Sequence, residues 1–113
     1  MKPIGNMPET HLDFYRRWIK EAEPYLKWQL KQFTPYIGKR ICDVGCGLGE
    51  FYHFLKDKQL FLGLEIDPQL ANECKKLCAS NNFRLAAFSD ITTKEAVNEM
   101  RSLNCDTIIC INV

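Results

Sequence analysis

The spacing of hydrophobic positions changes near residue 40. Between residues 9 and 22 they recur every three to four positions, the period of an amphipathic helix. Pro24 predicts the start of a second helix, because proline is tolerated in a first helical turn, and Pro35 with Gly38 predicts its end. After Gly38 the apolar residues gather into short runs, which is typical of buried strands.

Four short apolar runs predict strands that alternate with helices. The predicted strands cover residues 40–44, 60–64, 83–88 and 106–111. The predicted intervening helices cover residues 48–55, a segment from Pro68 to the Asn81–Asn82 pair, and a segment capped by Thr92 or Thr93. Strands joined by crossover helices form parallel sheets. We therefore predict an α/β fold: an open, mostly parallel, doubly wound (Rossmann-like) sheet of about four strands, with helices on both faces and N-terminal helices before it.

Length and charge limit the classes of protein to which this chain can belong. The 113 residues suit one domain, in which we place a helical lead-in at 1–38 and a Rossmann-like half domain at 39–113. A net charge of +1 gives no indication of a nucleic-acid partner. No apolar run is long enough for a bilayer, and the first residues lack the apolar core of a signal peptide. We expect a cytoplasmic protein without a membrane partner.

The cysteines and histidines do not have the spacing of a metal site. The six cysteines include no C-x-x-C pair, and the two histidines, His11 and His53, lie far apart in the sequence. Cys74 and Cys78 are spaced to share one helix face, so we expect them to be buried apolar residues. The sequence predicts no bound metal.

The stretch ICDVGCGLGEF at 41–51 carries the clearest chemical signal. It joins a predicted strand to a predicted helix through glycines at alternate positions, Gly45, Gly47 and Gly49. Glycine permits positive φ and lets a ligand approach the main chain. In open parallel sheets ligands bind beyond the carboxyl ends of the strands, and the first turn of a following helix would add free N–H groups. This stretch therefore predicts a ligand crevice.

The glycine spacing favours a ligand without phosphates. A dinucleotide site needs G-x-G-x-x-G, but the position of its last glycine is Glu50, and a carboxylate at a helix start would repel a pyrophosphate. The pattern G-x-G-x-G instead suits a ligand that packs an amino-acid portion and a ribose against bare backbone.

Acids are predicted at the ends of the next two strands. Glu65 follows the second strand and can accept from both hydroxyls of a ribose; alternatively it is a solvated acid at a strand end. Asp90 follows the third strand and can accept from an exocyclic adenine amine, while the Ile91 N–H donates to a ring nitrogen. The alternative for Asp90 is a helix cap.

Together these motifs resemble the first half of class I S-adenosylmethionine-dependent methyltransferases. The matching segments are DVGCGLG at 43–49, GLEIDP at 63–68, SDI at 89–91 and CDTIICINV at 105–113. The resemblance implies S-adenosylmethionine as the cofactor and a small-molecule methyl acceptor. The cofactor-binding residues that it implies are Asp43, Gly45, Cys46, Gly47, Gly49, Glu65, Ile66, Asp90, Ile91 and Asn112.

Within that set, the resemblance assigns different parts of the cofactor to different strands. Asp43 and the glycines would line the methionine end, Glu65 the ribose, and Asp90 with Ile91 the adenine. Asn112 would lie near the sulfonium. In the N-terminal helix, Tyr15 and Trp18 either cover the cofactor or serve as packing residues.

The resemblance also sets limits. The family's sheet has seven strands and this sequence supplies four, so we expect a cofactor-binding fragment that is inactive by itself. No general base is identified: His53 is expected at the surface, and Asp67 before Pro68 is expected to cap a helix. The alternative function is a non-catalytic nucleotide-binding or partner-binding remnant. In either case the apolar fourth strand, residues 107–111, offers an edge for self-association.

Overall fold

A computed structural model describes residues 10–86 and 93–111 of the chain. The helices are α1 (His11–Glu21), α2 (Glu23–Phe33), α3 (Pro68–Leu77) and α4 (Lys94–Ser102), and the strands are β1 (Arg40–Val44), β2 (Leu60–Leu64), β3 (Phe83–Ala86) and β4 (Thr107–Cys110). Single 3-10 turns occupy Thr34–Tyr36 and Tyr52–Phe54.

Side-chain caps and prolines determine where the helices begin. The Thr10 hydroxyl, the Asp67 carboxylate and the Thr93 hydroxyl each accept from a backbone N–H in the first turn of α1, α3 and α4. Pro24 and Pro68 lie in the first turns of α2 and α3, where a missing N–H costs no helical hydrogen bond. The sequence-based predictions of a second helix opened by Pro24 and of a cap at Asp67 are confirmed, and of the two candidates Thr92 and Thr93 it is Thr93 that caps α4.

The four strands form one parallel sheet in the order β3-β2-β1-β4. Val44 at the end of β1 lies beside Leu64 of β2 and Cys110 of β4, and Leu64 lies beside Ala86 of β3. The strands therefore end level with one another, and the segments that follow them meet at one edge of the sheet. The predicted doubly wound parallel fold is confirmed.

Helices cover both faces of the sheet. On one face the alternating strand residues pack with α2, α3 and the turn after β1 into one cluster: Ile41, Phe61, Phe83 and Ile109 with Leu26, Leu30, Phe51, Tyr52, Cys74 and Cys78. On the other face Cys42, Leu62 and Leu64 pack against Met100 and Leu103 of α4 and its C-terminal end. Cys74 and Cys78 are free and buried, as predicted. Burial of this apolar surface supplies most of the favourable free energy of folding.

The helix predicted over residues 48–55 is wrong. Residues 47–51 form turns, and only Tyr52–Phe54 adopts a 3-10 turn. Gly47 and Gly49 have φ values of 60° and 84°, in the left-handed region, which a right-handed helix excludes. The segment therefore presents no helical first turn to a ligand.

Two further predictions remain untested. The division of the chain at residues 38 and 39 stays a prediction, although Leu26 and Leu30 of α2 share a core cluster with the strands. Among the described residues, β4 pairs only with β1, and Ile108 on β4 is 60% exposed. Self-association through this edge stays a prediction.

Within residues 10–86 and 93–111, no helix is both long enough and apolar enough to cross a membrane.

Candidate functional site

The loop after β1 is held against the end of β2. The N–H groups of Gly45 and Cys46 both donate to the Leu64 carbonyl oxygen, at 2.8 and 3.0 Å, and the Gly49 N–H donates to the Cys46 carbonyl oxygen at 2.9 Å. Gly45 has a φ of 70°, so all three alternate glycines adopt the left-handed conformation for which the sequence predicted glycine.

Protein atoms pack closely against two of these glycines. A Cβ at Gly49 would collide with Cys78 Sγ of the segment after α3. A Cβ at Gly47 would collide with the Tyr15 hydroxyl of α1 and would lie 3.0 Å from Glu50 Oε2. Core packing therefore explains the glycine at position 49. The space beside Gly47 belongs to the predicted crevice, and the Tyr15 side chain of α1 fills it.

Glu65 is part of the loop structure. Its Oε1 accepts from the Gly47 N–H at 2.8 Å and its Oε2 accepts from the Asp67 N–H at 3.0 Å, and the residue is only 7% exposed. The alternative of a solvated strand-end acid is wrong. Each carboxylate oxygen has two lone pairs, so Glu65 retains the capacity to accept from further donors such as ribose hydroxyls.

Three buried carboxylates meet around the loop. Asp43 of β1, Glu50 of the loop and Glu65 are the buried charged residues of the described chain. Asp43 Oδ2 and Glu50 Oε2 have no hydrogen-bond partner among the described residues. An unpaired buried oxygen is costly, so the arrangement favours a ligand that brings positive charge or N–H donors.

The electrostatics of the cluster follow from this burial. Burial, followed by repulsion from Glu50 and Glu65, raises the pKa of Asp43 well above its ordinary value. Burial also raises the pKa of Glu50, while a hydrogen bond from Tyr15 acts against that rise. Ionisation of these carboxyls therefore costs free energy, and a cationic ligand would reduce that cost.

Tyr15 is a candidate site residue, and the sequence did not determine where its side chain lies. Its hydroxyl donates to Glu50 Oε1 at 2.7 Å. Burial, with the nearby Glu50 carboxylate, raises the pKa of Tyr15, so the phenol stays protonated and acts as a donor. Trp18 lies edge-on to the Tyr15 ring, with 6.0 Å between the centroids. A tyrosine on the apolar face of a helix was the available sequence signal, and it did not identify Glu50 as the partner.

The structure describes only some of the other predicted site residues. The Cys46 side chain is buried in the core cluster, where its Sγ would lie 2.7 Å from a Cβ at Gly63 and lies 3.9 Å from the Gly47 carbonyl oxygen. Ile66 is 66% exposed beyond the end of β2. Asp90, Ile91 and Asn112 lie outside the described residues.

Among the described residues, the candidate bases and metal ligands form no further catalytic or metal site. His53 is exposed, as predicted, and Asp67 Oδ1 caps α3 by accepting from the Gln69 N–H at 2.9 Å. No described group of three or more His, Cys, Asp or Glu side chains is arranged to hold a metal ion.

The raised pKa of Asp43 leads to a stability prediction. Because folding favours its protonated form, the stability that this carboxyl contributes is present at acid pH and is lost as the pH rises through the raised pKa. We expect Asp43→Asn to raise the thermal midpoint of the ligand-free chain at neutral pH by several degrees, since one pKa unit corresponds to about 1.4 kcal/mol. Calorimetric melting across pH measures the change.

The control is Asp57→Asn, which removes an exposed acid in the turn before β2. It should leave the midpoint unchanged. A lower midpoint for Asp43→Asn than for the original chain at neutral pH would contradict the stability prediction.

Comparison with known proteins agrees with this architecture. No family model matches the chain. A curated protein of Geobacillus sp. (strain WCH70), named "Putative methyltransferase", is 28% identical over 109 residues, which cover 90% of this chain and 43% of that protein.

Solved structures of methyltransferases are similar to this chain in fold. A SAM-dependent methyltransferase from Anabaena variabilis matches 97% of this chain and 52% of its own with a TM-score of 0.64 and 16% identity. A magnesium protoporphyrin IX methyltransferase from Synechocystis PCC 6803, solved with bound SAM, matches 96% of this chain and 52% of its own with a TM-score of 0.53 and 18% identity. The chain thus has the fold of one part of such enzymes, and it spans about half the length, or less, of these proteins.

Proposed function

We propose that the chain is the cofactor-binding half of an S-adenosylmethionine-dependent methyltransferase that acts on a small molecule. One observation supports this most directly. The left-handed glycine loop after β1 lies beside the buried Glu65 at the end of β2, and two buried carboxylate oxygens there have no partner among the described residues. The similarity to the Geobacillus protein is consistent with this function.

The residues present fit this cofactor chemically. S-adenosylmethionine supplies an electrophilic methyl group on a sulfonium, and it carries positive charge on the sulfonium and the amine. Asp43 and Glu50 would offer their unpartnered oxygens to that charge, and Glu65 would accept from the ribose hydroxyls. We retain Asp90 and Ile91 as the adenine contacts and Asn112 as the residue near the sulfonium.

The chain's contribution to methyl transfer would be alignment. A glycine loop anchored at both Leu64 and Glu65 is a rigid support, and holding reactants in the right geometry can remove about 7–11 kcal/mol from a barrier. The acceptor and the general base stay unassigned, because His53 is exposed and Asp67 caps α3. A cytoplasmic location stays a prediction from the sequence.

The alternative is a non-catalytic binder of a dinucleotide or of a partner protein. A dinucleotide would bring its pyrophosphate to the loop, where Glu50 occupies the position of the third glycine and holds an unpartnered buried oxygen. Repulsion between that carboxylate and the phosphates argues against this class.

Titration calorimetry with S-adenosylhomocysteine and with NAD separates these functions. We expect the 113-residue chain to bind S-adenosylhomocysteine and to give no binding heat with NAD. Binding of NAD alone would establish the dinucleotide alternative, and binding of neither ligand would contradict the proposed function.

A further inference from the structure

The space that a ligand needs beside the glycine loop is filled in this structure. The Tyr15 hydroxyl lies against the Gly47 backbone so closely that a Cβ at Gly47 would collide with it. Gly47 itself is buried, and its N–H is already held by Glu65. A cofactor that packs against bare Gly47 backbone therefore requires Tyr15 to move.

Helix α1 is attached by contacts that can be broken at modest cost. It has no fully buried residue, and Trp18 and Ile19 pack only partly buried against the core cluster. Polar contacts add to these: Tyr15 to Glu50, Arg16 to Glu73 of α3, and His11 Nε2 at 4.0 Å from Asp67 Oδ2. An element with little buried apolar surface opens more readily than the core.

The Tyr15–Glu50 contact is the central one of these attachments. It joins residues that are 35 positions apart in the sequence, and it is the contact of this set that lies directly over the loop. The Arg16 side chain is about half exposed, so its ion pair with Glu73 is weakened by solvent. The hydroxyl of Tyr15 is partly buried and donates to a carboxylate, which is the stronger kind of hydrogen bond.

We propose that α1 is a strap over the cofactor crevice and that the Tyr15–Glu50 hydrogen bond latches it shut in the ligand-free chain. The identity of the ligand rests on the proposed function, whereas the latch itself rests on the contacts above. Opening the strap frees the space beside Gly47 and leaves Glu50 able to meet the ligand's positive charge. When only a fraction of the chain is open, the apparent dissociation constant is the intrinsic one divided by that fraction.

The latch is tested first without any ligand. Tyr15→Phe keeps the ring and removes the hydroxyl, and we expect it to lower the hydrogen-exchange protection of the α1 amides by about tenfold or more, as the loss of a hydrogen bond to a charged group predicts. The matched control is Tyr25→Phe, the same change at a half-exposed tyrosine of α2 that stacks on Trp28. Unchanged protection in Tyr15→Phe, relative to Tyr25→Phe, would overturn the latch.

Binding of S-adenosylhomocysteine then tests the gating role. We expect Tyr15→Phe to bind it up to about tenfold more tightly than the original chain, because the open fraction rises. Looser exchange together with weaker binding would overturn the gate, since Tyr15 would then be a contact of the bound ligand. Looser exchange in a chain that never binds S-adenosylhomocysteine would support the latch and contradict the proposed function.

Discussion

We expect Gly47→Val to abolish the binding of S-adenosylhomocysteine, which is the largest effect predicted for any single substitution in this chain. A β-branched residue is strongly disfavoured at the φ of 60° that Gly47 adopts. The new Cβ would also occupy the space beside the backbone that the ligand needs, 3.0 Å from Glu50 Oε2. Calorimetry should give no binding heat at concentrations that saturate the original chain, while circular dichroism shows that the chain is folded.

A second pair of variants separates the effect of the substitution on α1 from its effect on the crevice. Gly47→Ala by itself collides with the Tyr15 hydroxyl, so it disturbs α1 as well as the crevice. Adding Tyr15→Ala removes that collision and leaves the obstruction of the ligand, together with the strain of a side chain at a φ of 60°. We expect the double variant to remain unable to bind. Binding restored in the double variant, or original affinity in Gly47→Val, would contradict the role of Gly47 as a ligand-contact position.

Glu65→Ala has the second largest expected effect, a roughly ten- to hundredfold loss of affinity for S-adenosylhomocysteine. A hydrogen bond to a charged group contributes about 1.5–3 kcal/mol, and the ribose would lose its acceptor. The same change leaves the N–H groups of Gly47 and Asp67 without the carboxylate that they donate to, so the loop loses an anchor. Calorimetry measures the combined loss.

An analogue that lacks both ribose hydroxyls distinguishes the direct effect from the loop effect. If Glu65 binds the ribose, the original chain should discriminate against the analogue by about tenfold or more and Glu65→Ala should not discriminate. If both proteins discriminate equally, Glu65 only supports the loop and its assignment to the ribose is wrong.

The chain's local patterns predicted most of the fold. The change from helical spacing to short apolar runs gave the strands and their parallel arrangement, because strands buried on both faces must be apolar along their length. The sequence predicts caps at Asp67 and at Thr92 or Thr93, since a side-chain oxygen before a helix satisfies first-turn N–H groups whatever lies around it. The glycines after β1 predicted left-handed backbone for the same local reason.

The helix expected over residues 48–55 shows where local pattern was insufficient. Leu48, Phe51, Tyr52 and Leu55 have helical spacing, and all four are indeed buried. Their burial comes from a turn packed between the sheet and α3, in which Gly49 lies against Cys78. Periodicity reports which residues are buried, and tertiary packing decided which backbone conformation buries them.

The sequence by itself thus determined a parallel α/β sheet, a glycine loop at the end of β1 and an acid at the end of β2, because each depends on stereochemistry within a few residues. Only the tertiary structure decided that Tyr15 lies on Gly47 and donates to Glu50. Tyr15 and Glu50 are 35 positions apart, and their contact depends on where α1 lies relative to the loop after β1. Burial of Glu50 and Asp43 has the same origin, since a carboxylate loses its water only when elements distant in sequence close over it.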